Sequence, residues 1–90
     1  MKPTDLRRGD LIQVTIRGHP VNGVFLRYRR ESNSKLIIEF INFDLYDPEE
    51  GPYVDKLFGE DKLDIIEPSS EMMLSPYEKI LYNKLIKPMI

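Results

Sequence analysis

Residues 9–43 read GDLIQVTIRGHPVNGVFLRYRRESNSKLIIEFINF, and their patterning predicts three antiparallel strands. Between Leu11 and Ile16, the side chains of Ile12, Val14 and Ile16 share one face and those of Gln13 and Thr15 the other, as in a half-buried strand. Arg17-Gly18-His19-Pro20 interrupts the alternation. Gly18 tolerates positive φ and Pro20 has no amide donor, so a hairpin turn with lapsed pairing is expected there. The pattern resumes over residues 21–29, with Val24, Leu26 and Tyr28 on one face and Phe25, Arg27 and Arg29 on the other. Gly23, inside this strand, predicts a bulge or sharp bend, which a sheet needs if it is to curl into a small barrel. After the polar turn at residues 30–34, residues 35–43 are the most hydrophobic of the chain. Leu36, Ile38 and Phe40 lie on one face and Ile37, Ile41 and Phe43 on the other, so this strand is central and both faces must be covered.

The flanking sequence supplies the rest of a fold. Upstream, residues 3–8 suit one helical turn, capped by Thr4 and ended by Gly9. Downstream, DLYDPEEGP at residues 44–52 has the prolines, glycine and carboxylates of a solvated insertion. Residues 53–58 read as a fourth strand, Gly59-Glu60-Asp61 as a tight turn, and residues 63–67 as a fifth strand stopped by Pro68, with Leu63 and Ile65 pointing inward. A helical turn over residues 69–74 precedes Ser75-Pro76-Tyr77-Glu78, which places a serine cap, a proline at the first helical position and a glutamate completing the capping box. Tyr77, Leu81 and Leu85, with Ile80 alongside, form a stripe able to cover the sheet, and Met72, Met73, Met89 and Ile90 extend it. Lys84 and Lys87 suit the end of the helix dipole, and Pro88 ends the helix. The expected fold is therefore mostly β: a small, strongly bent five-stranded antiparallel barrel over residues 1–68 and a C-terminal α-helix within residues 69–90 packed on it, in one domain.

Composition narrows the function classes. With 90 residues, 41% of them hydrophobic and 31% charged, the chain falls in the range of small globular domains. It has no cysteine, so disulfides, thiolate metal sites and a cysteine nucleophile are excluded. Residues 1–5 lack the apolar core of a secretory signal and no run is long enough to span a membrane, which makes a cytoplasmic location the expectation. The net charge of −2 conceals a polar distribution. Residues 1–40 carry eight basic and four acidic side chains, residues 41–71 two basic and ten acidic, and residues 72–90 three lysines and one glutamate. Such a split suits a local anion-binding face on an acidic protein, and equally contact between copies of the chain.

The spacing of Gly18, Gly23, Phe25 and Tyr28 after the alternating strand resembles the first sequence motif of the Sm-like family of small five-stranded barrels. Asn33, ten residues after Gly23, falls where that family has an RNA-contacting asparagine. The resemblance covers about a third of the chain. It implies an RNA-binding barrel that self-associates through the edges of strands four and five. The chain departs from the family at Arg29, where an aspartate is usual, and at Phe58-Gly59, where Arg-Gly or Lys-Gly is expected; the main helix also follows the barrel instead of preceding it. Tudor-like and KOW-like barrels share the same general shape.

Independently of the resemblance, Arg27, Arg29 and Arg30 interleave with Phe25 and Tyr28, a combination suited to phosphate neutralisation and base stacking. The competing reading is a solvated strand face whose arginine stems cover apolar surface. The expected nucleic-acid site thus comprises Phe25, Arg27, Tyr28, Arg29, Arg30 and Asn33, with RNA or single-stranded nucleic acid as ligand. The alternative function is a protein-interaction or assembly module using the acidic loop or a sheet edge. Asp44, Asp47, Glu49 and Glu50 match no EF-hand spacing, so no metal is expected. His19 is the only histidine and has no serine or carboxylate beside it in sequence; no catalytic residue, no cofactor and no enzymatic activity are expected.

Overall fold

The computed structural model describes residues 6–30, 35–59, 62 and 65–90. Five antiparallel strands form one sheet: β1 (Leu11–Ile16), β2 (His19–Arg30), β3 (Leu36–Asn42), β4 (Val54–Phe58) and β5 (Ile66–Pro68). Their order is β4-β3-β2-β1-β5, so β4 and β5 are the edges, and no ladder joins those edges among the described residues. The sheet is open. A helical segment follows, consisting of α1 (Pro76–Leu81), a π-helical stretch (Tyr82–Ile86) and a 3-10 turn (Lys87–Met89). No helix among the described residues is long and apolar enough to cross a membrane. Residues 3–5 of the expected helical turn at residues 3–8 lie outside the described residues, as does Leu63, and residues 6–8 are not helical.

The hairpin between β1 and β2 is tighter than the sequence suggests. Arg17 and Gly18 both have positive φ, 51° and 79°, and alone form the turn between paired Ile16 and His19. This is the arrangement of a type I′ hairpin. His19 and Pro20 therefore belong to β2, not to a loop. Pro20 is tolerated because the pair next to a two-residue turn is the hydrogen-bonded one, so the following pair, Thr15 with Pro20, needs no amide from the proline. On its other side β2 meets β3 only from Gly23 onward.

β2 is long because it serves two partners in turn. It pairs with β1 up to Val24 and with β3 from Gly23 to Arg30. At this handover a Cβ on Gly23 would lie 2.6 Å from the Ile41 carbonyl oxygen and 3.0 Å from the Phe40 ring. Gly23 is thus required by close approach of backbone, not by a bulge of its own. The bulge comes three residues later: Phe25 faces Phe40, Arg27 faces Glu39, and Leu26 is the extra residue between them. The extra residue breaks the simple alternation expected for β2. Phe25 and Tyr28 join the same core, with ring centroids 4.6 Å apart, whereas Val24 and Leu26 pack on the other side.

Two apolar clusters result. On the inner face, Ile12 and Val14 of β1, Val21 and Phe25 of β2, Leu36, Ile38 and Phe40 of β3, and Ile66 of β5 are buried together, with Leu57 of β4, Ile65 and Tyr28 against them. On the outer face, Val24, Leu26, Ile41 and Phe43 are covered by Leu74, Leu81, Tyr82 and Ile86. Both faces of β3 are therefore buried, as its composition predicts. Of the expected strand at residues 63–67, residues 63 and 64 lie outside the described residues and Ile65 precedes β5. β5 includes Pro68, which pairs with Ile12; at the end of a short edge strand a missing donor costs little.

The helix start matches its sequence signature. The Glu78 amide donates to Ser75 Oγ (3.2 Å) and the Ser75 amide to Glu78 Oε1 (2.9 Å), closing the capping box. Asn22 Nδ2 of β2 also donates to Glu78 Oε1 (3.0 Å) and to the Met73 carbonyl (3.2 Å), which fastens the cap to the sheet. The buried stripe differs from the expected one. Leu81 is buried, but Tyr77, Ile80 and Leu85 are exposed, and Tyr82 and Ile86 take their place. A π-helical turn holds more residues than an α turn, so each residue advances through a smaller angle and Ile86 rotates onto the sheet while Leu85 rotates off it. Met72, Met73 and Met89 are also exposed and do not extend the cover, whereas Ile90, though partly exposed, lies against the backbone at Gly9.

Candidate functional site

Cross-strand pairing builds the outer face of β2, β3 and β4 in rows. In one, Arg29, Ile37 and Phe58 lie side by side; in the next, Arg27, Glu39 and Lys56; in the third, Val24, Ile41 and Val54. The C-terminal helix covers Val24 and Ile41 of the third row. The first two rows lie beyond that cover and carry the charge. Ile37 is fully buried between its neighbours, in keeping with an arginine stem and an aromatic ring covering apolar strand surface.

Glu39 is the centre of this face. Only 4% exposed, it accepts hydrogen bonds at Oε1 from Arg27 Nε (2.7 Å) and Arg29 Nε (3.1 Å). The Arg27 hydrogen bond, reinforced by the charges of both guanidinium groups, holds its carboxyl below the ordinary range although burial opposes ionisation. A charged Glu39 fixes two arginines whose side chains remain 63% and 39% exposed. Lys56 stands opposite Glu39 on β4, and Lys35 places its ammonium 5.4 Å from the ring centroid of Phe58, a residue 48% exposed. Two arginines thus hold a single buried carboxylate, with Lys56 in the next position of the same row and Lys35 beside the exposed Phe58 of the adjoining row.

The residues expected from sequence are divided by this geometry. Arg27 and Arg29 lie together on the outer face. Arg30, opposite Leu36, alternates to the other side at the exposed end of β2. Phe25, at 2% exposure, is a core residue, and Tyr28 packs beside it, so neither presents an open ring on the arginine face. Asn33 lies outside the described residues. Lys35, Lys56 and Phe58 were absent from the sequence-derived site because β3–β4 pairing, not proximity in sequence, brings them to the arginines. His19 is exposed at the start of β2.

The acidic segment makes a separate feature. Phe43–Leu45 forms a 3-10 turn capped by Asn42, whose Oδ1 accepts the Asp44 amide at 2.9 Å. Asp47 and Gly51 form a bridge, and Asp47 Oδ1 accepts the Glu49 amide at 2.8 Å, closing an acidic turn. Leu45, Tyr53 and Val54 line a cleft of about 580 Å³ beside it, with Asp47 and Glu50 at its margin. Among the described residues no group of three or more metal-ligating side chains converges. Comparison of the chain with protein-family models, curated proteins and solved structures finds no match in any of the three.

Proposed function

We propose that the chain is a non-enzymatic, Sm-like small-barrel module that binds RNA or single-stranded nucleic acid on the outer face of β2, β3 and β4. The observation that carries this reading is that Arg27 and Arg29, held by buried Glu39, share the outer face with Lys56, exposed Phe58 and the Lys35 ammonium beside that ring. Cations set on a sheet neutralise phosphates, an exposed ring stacks on a base, and neither requires a cofactor. The barrel reading is supported by an inner core drawn from all five strands, and by the β1–β2 turn and Leu57 of β4 lining one cleft. Self-association through the β4 and β5 edges belongs to the same reading.

Fluorescence polarisation with a labelled ten-nucleotide oligouridylate over a range of salt concentrations tests it. Affinity is expected to fall steeply with salt, by a log–log slope of about 0.7 for each phosphate contacted. Lys35→Ala/Lys56→Ala is the informative variant, because it removes two charges without stranding Glu39; it should reduce the slope by about 1.4. Absence of binding at low salt would overturn the reading.

A second reading, a protein-interaction module, is favoured by the cleft lined by Leu45, Tyr53 and Val54 with its acidic margin. It requires a protein partner retained after nuclease treatment and no affinity for the oligonucleotide.

A further inference from the structure

Arg17 is the only non-glycine residue with positive φ among the described residues, at 51°. The first position of a type I′ turn is the natural place for asparagine, aspartate or glycine, and an arginine there is held in a conformation disfavoured for its side chain. Nothing in the hairpin itself calls for arginine. The turn does, however, border a cleft of about 390 Å³, within the usual size range of small-molecule sites. Its lining combines apolar Ile16 of β1, Leu57 of β4 and Ile65 with the cationic residues Arg17 and Lys62, next to Thr15 and Gly18. Gly18 leaves the rim open, since a Cβ there would meet nothing within 4 Å.

Two cationic residues in a lining with three aliphatic ones fit a ligand with an anionic group and an apolar body. The position of the cleft selects among such ligands. Leu57, in its wall, lies on β4 between Lys56 and Phe58 of the basic outer face, so a strand lying on that face reaches the cleft by passing around β4. We infer that this cleft holds a further nucleotide of the bound strand, with its phosphate at Arg17 and Lys62 and its base and sugar against Ile16, Leu57 and Ile65. The inference rests on the nucleic-acid reading of the outer face and extends it to a second anchoring point. It also accounts for an arginine at a turn position where asparagine would be easier to accommodate.

Arg17→Asn separates binding from folding, because it creates an Asn-Gly type I′ turn while removing the charge. The variant is expected to raise Tm by several degrees, to bind the ten-nucleotide oligouridylate about threefold to tenfold more weakly at moderate salt, and to lower the salt slope by about 0.7. Arg17→Lys, which keeps the charge, should retain most of the affinity. Wild-type affinity and slope in Arg17→Asn, with binding still weakened in Lys35→Ala/Lys56→Ala, would overturn this inference alone. A lower Tm accompanied by weaker binding would make Arg17 a structural residue and overturn it too. No binding by the wild type would remove the outer-face reading and this one together.

Discussion

Glu39 shows how one side chain links the sequence to the face on which it lies. Its burial in a largely apolar strand costs desolvation energy, which two charge-assisted hydrogen bonds offset. Because its folded pKa lies below the ordinary value of 4.5, its stabilising contribution is complete above that value and disappears as pH falls through the lower, folded pKa. Glu39→Gln mimics the protonated state. It should destabilise the fold by about 1–2 kcal/mol at neutral pH, and the difference from wild type should close as pH drops below 4.5. Urea midpoints measured from pH 7 to pH 3 check both parts; a gap that persists undiminished at pH 3 would mean that the charge of Glu39 is not what holds the arginines. At this scale the sequence was partly legible. Arg27 and Arg29 announce themselves by clustering, but a lone glutamate in an apolar run does not say which cations it will meet.

At the scale of elements, strands and the helix start were readable because their signals are local: alternation in β1, continuous hydrophobicity in β3, and the Ser75–Glu78 capping box. The departures arise where one residue shifts a phase. Leu26 is apolar on either face, so the bulge that moves Tyr28 to the inner core leaves no compositional mark. The π-helical stretch likewise exchanges Leu85 for Ile86, two residues of similar character. This exchange is measurable. Ile86→Ala, at a site with no exposed surface, should cost about 2–5 kcal/mol, whereas Leu85→Ala should change stability by less than about 0.5 kcal/mol. Chemical denaturation of the two variants reads the helix register directly, and a larger loss from Leu85 would place the regular 77–81–85 stripe on the sheet after all.

For the whole molecule, the open question set by the sheet is what its edges do. Gly59 donates its amide to the Leu36 carbonyl and Tyr53 accepts from the Asn42 amide, so the odd-numbered residues of β4 face β3 and the amides of Val54, Lys56 and Phe58 face away. The central one of these, Lys56, donates to the carboxylate of its neighbour, Asp55 Oδ1, at 2.8 Å. A lysine on a short edge strand and a capped amide are both devices that discourage strand addition, so any pairing of β4 with a second copy must displace the Asp55 contact. Such pairing would be weak and concentration-dependent. Lys56→Pro provides the test, because it deletes an amide that β3 does not use. Light scattering after size exclusion, over a range of concentrations, should show oligomers of the wild type dissociating to monomer in Lys56→Pro, with Tm little changed. Oligomers that survive the substitution would show that copies meet elsewhere, and the division between a basic outer face and the acidic segment at residues 44–50 would then be the surface to exchange charges on next.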